Sequence, residues 1–147
     1  MIRGALNGAL LYVTLVSPNQ GVFMICNLIA KVAVNLGIAP LLLAGVIHQE
    51  SAFNPKAINS AAPVWSYGLG QITLATAKSH CKLSKEELLD PRKNLQCAGK
   101  VLAYQLQRYG GNIDLALSAY NAGTATTRNA VYVESVKKRM TQNKCGV

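Results

Sequence analysis

A succession of short amphipathic helical patterns, interrupted by one long stretch of turn-forming residues, constrains this chain most. Val22, Ile25, Ile29, Val32 and Leu36 recur at helical spacing, with Asn27, Lys31 and Asn35 on another face. Gly37 ends that pattern, Pro40 opens a second helix over 41–51, and Asn54-Pro55 lies beyond its end. Residues 54–72, rich in Asn, Ser, Pro, Gly and Ala, read as a long irregular loop, which in so small a domain is usually functional. Further helices are predicted over 73–80, over 84–89 with Ser84 and Glu87 in capping-box register, and from Asp90-Pro91 to Tyr109. Two more follow over 112–122, after Gly110-Gly111, and over about 131–140. No convincing run of alternating strands occurs. Helices of unequal length joined by long loops favour orthogonal packing over a regular bundle, so a mainly α fold with at most a minimal β element is expected.

The chain of 147 residues has room for one domain, or for one domain behind a short targeting segment. Half of its residues are hydrophobic and 14% are charged, which excludes a disordered or purely solvated chain. Residues 1–21 open with Arg3, continue through an apolar run over 5–16, and break at Ser17-Pro18-Asn19-Gln20-Gly21. They read as a signal peptide or N-terminal anchor, able to touch a membrane transiently, ahead of a folded domain over 22–147. The run is shorter than the roughly 20 apolar residues that span a bilayer, and the other reading makes residues 5–16 the first core helix.

Fifteen Lys and Arg against six Asp and Glu leave a net charge of +9, which suits a polyanionic partner: nucleic acid, an anionic membrane or an acidic wall polymer. The positive charges are scattered and no helix gathers several on one recognition face, so no nucleic-acid partner is expected. Lys137-Lys138-Arg139 reads as a solvated helix face. Among the six acids, Glu50 needs explaining, because Ile47, Val46 and Leu43 precede it by three, four and seven residues on the same helix face. A carboxyl that continues an apolar stripe beside a groove loses hydration, and its pKa rises toward the range of a general acid. The alternative is an ordinary helix-end residue pointing to solvent.

A set of residues around that helix is familiar in order and spacing: Glu50-Ser51-Ala52-Phe53-Asn54-Pro55-Lys56-Ala57, Ser60, Tyr67-Gly68-Leu69-Gly70-Gln71-Ile72, and Ala119-Tyr120-Asn121-Ala122-Gly123. With Leu89-Asp90-Pro91, Asn94-Leu95, Tyr109-Gly110-Gly111 and Tyr132-Val133, it covers about residues 24–140. This set resembles the catalytic domain of soluble lytic transglycosylases, lysozyme-like enzymes related to goose-type lysozyme that cleave peptidoglycan glycan strands. The resemblance implies a lysozyme-like orthogonal helical fold. It also implies that Glu50 is the single catalytic acid and base, that Ser60 lies near the sugar at the cleavage point, and that Gln71, with Ile72 beside it, lines the groove. Tyr120 and Asn121 would face Glu50 from the other side, with Tyr132 near the same pocket. Two departures stand out: Gly70 occupies a position where the family usually has Met, and the segment before Gly68 is longer and carries Ala62-Pro63-Val64-Trp65. Trp65 is either a sugar-stacking residue or a local packing plug.

The acid inventory agrees with that resemblance. A two-carboxylate glycosidase needs a second Asp or Glu about 5–9.5 Å from the first. Glu86, Glu87 and Asp90 instead belong to a cap and a turn, Asp114 to the first turn of a helix, and Glu134 to the last amphipathic helix. A lone Glu50 fits chemistry in which the substrate supplies its own nucleophile, and the resemblance implies that this is the muramic acid 6-hydroxyl, which leaves a 1,6-anhydro end. The alternatives are a hydrolytic muramidase on the same scaffold, or a catalytically weak wall-binding module.

Cys26, Cys81, Cys97 and Cys145 form no CxxC pair and have only His48 and His80 for company, so neither a metal site nor a cofactor is expected. Their even number and wide spacing suit two disulfides in an oxidising compartment, with three connectivities open; four buried thiols in a cytosolic protein are the other reading. A Cys81–Cys97 bridge would clamp residues 82–96, and a Cys26–Cys145 bridge would then tie the two ends together. His48 and His80 read as packing or surface residues. An exported protein of the periplasm or cell wall follows, with peptidoglycan as partner and a small size that suits a phage, secretion or conjugation apparatus.

Overall fold

The computed structural model describes residues 18–61, 64–125 and 128–147. The apolar run over 5–16 lies outside the described residues, as do Ala62 and Pro63. Among the described residues, seven helices and three minimal strands follow one another: α1 (Pro18–Leu36), α2 (Pro40–Ser51), β1 (Ile58–Asn59), β2 (Ser66–Tyr67), β3 (Ile72–Thr73), α3 (Leu74–His80), α4 (Lys85–Leu88), α5 (Pro91–Arg108), α6 (Ile113–Ala122) and α7 (Ala130–Gln142). The domain is thus mainly α with a small sheet. Among the described residues, no helix is long and apolar enough to cross a membrane.

Local chemistry accounts for most helix ends. Thr73, Asp90, Asn112 and Asn129 each accept a hydrogen bond from the backbone N–H three residues on, and Ser84 with Glu87 closes a reciprocal capping box. Helix α1 starts at Pro18 rather than at the expected Val22, since a proline in the first turn sacrifices no intrahelical bond. Gly37, at φ 68°, ends it.

The core lies where α1, α2, α5 and α7 cross. Helix α2 is buried on every side from Leu42 to His48, so it forms the axis of the domain rather than a surface helix. Gly45 lets α7 approach: a Cβ there would meet Met140 Cγ at 2.5 Å. Gly99 does the same for α1 on α5, where a Cβ would sit 2.7 Å from Leu36 and 2.8 Å from Val32. Ile29, Leu43, Ile47, Leu95, Leu102, Leu117, Val133 and Val136 fill the space between and are fully buried.

The stretch over 54–72 stays largely irregular and carries the minimal β element expected of the fold, two-residue strands paired in an antiparallel sheet of order β1-β2-β3, with Ile58 opposite Tyr67 and Tyr67 opposite Ile72. Strands of two residues carry no alternation for a sequence to display. A buried asparagine on α5 holds them in place. Asn94 Nδ2 donates to the carbonyls of Tyr67 and Leu88, both at 2.8 Å, and its Oδ1 accepts from the Gly70 N–H at 2.7 Å. Gly68, at φ +72°, passes so close to Asn94 and the Leu88 carbonyl that no Cβ fits.

Two disulfides staple this framework. Cys26 of α1 pairs with Cys145 beyond α7, and Cys81 at the end of α3 pairs with Cys97 of α5; their Cα atoms lie 5.3 and 5.5 Å apart.

Candidate active site

Helix α2 delivers Glu50 in its last turn, and Ile47, Val46 and Leu43 on the same face are fully buried. The chain then leaves the helix through Ala52 (φ 50°) and Phe53 (φ 63°), two consecutive left-handed residues other than glycine. Phe53 turns back into the core and stacks on His48, centroids 5.0 Å apart. His48 is buried, and its pKa is lowered first by that burial and then by Arg139 and Lys144. Of the packing and surface readings, its burial against Phe53 matches the first, with Nδ1 left without a hydrogen-bond partner.

Glu50 faces an open groove of about 770 Å³. The groove runs between the sheet, α3, α5 and the end of α6. Burial raises the pKa of Glu50 from 4.5 to about 7, against the opposing effect of Tyr132, whose phenol donates to Glu50 Oε2 at 2.9 Å. Tyr132 itself is buried on α7, and burial next to Glu50 keeps its pKa well above the ordinary value, so it remains a donor. Tyr120 is held in the same state by burial first and by the charge of Glu50 second. Its phenol donates to the Gly70 carbonyl at 2.8 Å.

That bond gives a physical reason for Gly70. A Cβ at this position would meet Ala98 at 2.5 Å and the Tyr120 hydroxyl at 2.9 Å, so a larger residue would displace the groove wall. Gln71 lines the groove in a left-handed conformation (φ 52°), but its amide is mostly engaged in the loop: it accepts from Ser66 Oγ at 2.7 Å and donates to the Ala57 and Gly68 carbonyls. Ile72 is buried in the groove floor. Asn121 lines the rim, and its Oδ1 accepts from Asn129, the residue that caps the helix carrying Tyr132.

Ser60 is brought elsewhere: it is exposed beyond β1 and is not among the groove-lining residues, whereas its neighbours Asn59 and Ser66 are. Trp65 is about half exposed and also lies outside the lining, while Val64 joins it. The basic run on α7 is solvated as expected at Lys137 and Lys138, which are exposed, while Arg139 is half-buried. Lys137 pairs with Asp114 at 2.9 Å, and Arg139 donates to Gln49, which stands next to Glu50 and lines the groove.

Four of the other five carboxylates are engaged away from the groove, Asp114 with Arg128 and Lys137, Glu134 with Arg128, Glu87 with Ser84 and Lys93, and Asp90 in a helix cap, and Glu86 does not line the groove. Among the described lining residues, Glu50 is the only acid. Sequence reasoning missed Asn94, which orients the wall, and Gln49 and Gln105, which line it. Asn94 stood within a recognised segment, but nothing local distinguishes a buried asparagine from an exposed one.

Residues 27–143 match the transglycosylase SLT domain. The chain belongs to the transglycosylase SLT domain family. Within that family, it is 37% identical over 90 residues to the soluble lytic murein transglycosylase of Escherichia coli K12, a match covering 56% of this chain and 14% of that protein. It is 35% identical over 96 residues to the transglycosylase of Enterobacteria phage PRD1, covering 65% of this chain and 34% of the phage protein. The crystal structure of the 70 kDa soluble lytic transglycosylase from Escherichia coli superposes with a TM-score of 0.61 at 29% identity, over 81% of this chain and 22% of that one. A complex of a 70 kDa soluble lytic transglycosylase with bulgecin A superposes with a TM-score of 0.62 at 29% identity, over 78% and 18% of the two chains. This SLT domain therefore shares the lysozyme-like helical fold of those enzymes and spans a minor part of their length.

Proposed function

We propose that this SLT domain is a peptidoglycan lytic transglycosylase that cuts the β-1,4 bond between N-acetylmuramic acid and N-acetylglucosamine, with Glu50 as its one acid and base. The observation that carries the reading is a single groove carboxyl with a pKa raised to about 7, held by Tyr132 with no second acid among the described lining residues. In the first step, protonated Glu50 gives its proton to the glycosidic oxygen as the bond to C1 breaks. In the second, the resulting carboxylate takes the proton of the muramic acid 6-hydroxyl while O6 bonds to C1. Glu50 ends protonated, no water is consumed, and the product carries a 1,6-anhydro ring. An intramolecular hydroxyl needs no water to be positioned, and that saving favours the ring closure.

Gln71, Ile72, Tyr120 and Asn121 support the reading as groove residues, and Tyr132 as the partner that orients Glu50; Ser60 would need the loop around β1 to bring it to the sugar. Two disulfides fit an oxidising compartment, so we place the protein outside the cytoplasm, at the periplasm or wall, with residues 1–21 as its export signal or anchor. Likeness to both a bacterial and a phage relative supports a wall-opening role, either in phage entry or lysis or beside a secretion or conjugation apparatus.

The test is mass spectrometry of muropeptides released from purified sacculi, with Glu50→Gln as control. Anhydro ends, one water lighter than reducing ends and absent with the variant, are expected. Reducing ends would make the protein a muramidase, and no release by the unmodified protein would make it a binding module.

A further inference from the structure

Helix α1 has a solvent face that the catalytic groove does not use. Ile25, Cys26, Ile29, Val32 and Ala33 enter the core, while Phe23, Met24, Asn27, Lys31 and Val34 face outward. On that face Phe23 is 66% exposed, Met24 62% and Val34 70%. A single exposed apolar side chain needs no explanation, but Phe23 and Met24 are adjacent and border a second apolar feature. Beside Phe23 opens a cavity of about 460 Å³, walled by Val22, Ala52, Phe53 and the Cys26–Cys145 disulfide, with the exposed Lys144 among its lining.

This corner is cationic as well as apolar. No Asp or Glu occurs between residues 18 and 49 or between 135 and 147, whereas Lys31 and Lys144 are exposed. It also lies close to the apolar run over 5–16. Val16 is two residues before Pro18, which opens α1, and Phe23 follows about 8 Å further along the helix axis. An apolar medium that takes up the run is therefore within reach of Phe23 and Met24. Among the described residues, no helix is long and apolar enough to cross a membrane, so contact with lipid here is interfacial.

Other occupants fit less well. A second copy related by a two-fold axis would bring Lys31 and Lys144 into a shared cationic interface, with Asn27 and Lys31 interrupting the apolar contact. A nucleic acid would match the lysines and leave Phe23 and Met24 in water. We propose that the start of α1 and the Cys26–Cys145 corner dock on an anionic lipid bilayer. Phe23 and Met24 enter the boundary of the acyl chains, and Lys31 and Lys144 lie against the headgroup phosphates. This goes beyond the glycan-cleaving reading and does not depend on it.

The test uses the full chain with vesicles of phosphatidylglycerol and phosphatidylethanolamine, carrying plain or brominated acyl chains. Trp65 is the only tryptophan, so Phe23→Trp combined with Trp65→Phe puts one fluorophore on the docking face, and the unmodified chain reports from the start of β2. Emission from position 23 is expected to shift to the blue with vesicles and to fall about twofold with brominated lipid, while that of Trp65 is not quenched. Phe23→Ser with Met24→Ser should weaken vesicle binding about tenfold and leave Tm unchanged. Lys31→Glu with Lys144→Glu should weaken binding to these vesicles and leave binding to phosphatidylcholine vesicles unaltered.

No binding to the anionic vesicles would overturn the proposal. Binding without quenching at position 23 would also overturn it, leaving only the anchor reading of residues 1–21. Blue emission from position 23 before lipid is added would give the face to the chain's own apolar run. Dimers in sedimentation that the double serine variant abolishes would give it to a second copy. Quenching that persists with Leu10→Lys and Leu11→Lys would keep the docking face and show that it does not need the run.

Discussion

The phenol of Tyr132 and the carboxyl of Glu50, 82 residues apart in the chain, meet in a hydrogen bond of 2.9 Å. Two effects oppose each other on that carboxyl. Removal from water favours its neutral form and the phenol donor favours its anion; burial is the larger, and the pKa settles near 7. Glu50 can therefore give a proton and take one back within a single turnover near neutral pH, as the proposed chemistry requires.

The first prediction concerns this bond. Because protonated Glu50 starts the reaction, initial rates on sacculi at low substrate should fall as pH rises through about 7. Tyr132→Phe removes the donor that favours the anion, so the falling limb should move to higher pH while the maximal rate drops about tenfold from loss of orientation. A pH–rate profile of the two proteins checks this, and an unmoved limb would show that the phenol does not set the carboxyl.

A second prediction concerns stability. The pKa of Glu50 is higher in the folded state than the ordinary 4.5, so folding favours the protonated form. Relative to an uncharged side chain, the protonated carboxyl carries no penalty below the unfolded value, and the penalty for ionising it grows as pH rises from about 4.5 to about 7. Glu50→Gln should therefore be more stable than the unmodified protein at pH 8, by up to about 3 kcal/mol, with the difference vanishing near pH 4. Urea unfolding at the two pH values measures it. A constant difference would contradict the linkage.

Asn94 supplies a third. Its side chain satisfies three backbone groups of the β-sheet region and the α4 end, so Asn94→Ala leaves them unpaired in the interior. A loss of about 3 kcal/mol is expected, together with release of the 66–72 segment from protection. Hydrogen exchange at Tyr67 and Gly70 reports the local effect separately from the global one.

The disulfides give the fourth. In the chain-entropy description, a bridge over a separation of 16 residues contributes about 3 kcal/mol and one over 119 about 5. Replacing Cys26 and Cys145 by Ala should thus lower stability more than replacing Cys81 and Cys97. The second pair, however, should lower activity more per unit of stability lost, because it joins α3 to α5, two helices that both line the groove. Denaturant midpoints and muropeptide release, measured on both double variants, separate the two effects.

Much of this architecture could be read before any coordinates, and the parts that could be read share a physical property. The Ser84–Glu87 capping box, the Asp90-Pro91 helix start and the Asn112 cap each involve side chains bonding backbone within three residues, so a few adjacent letters encode them. The buried face below Glu50 was visible for the same reason, through helical spacing. The features left unread involve long-range partners. The 54–72 loop carries a small sheet because Asn94 binds two of its residues from another element. Ser60 stayed exposed, since a motif position states order along the chain and not which way a loop turns. Arg139 read as part of a solvated run, yet it reaches Gln49, 90 residues away.

The sequence by itself determined which groups are available: six acids with only Glu50 on an apolar helical stripe, helices with their own start and stop signals, and an order of residues that marks the family. Tertiary structure decided what those groups can do. Desolvation, the Tyr132 bond to Glu50 and the Tyr120 bond to Gly70 all depend on segments distant in sequence coming within about 3 Å. A carboxyl's proton affinity is set by everything packed around it, and packing is a property of the folded chain.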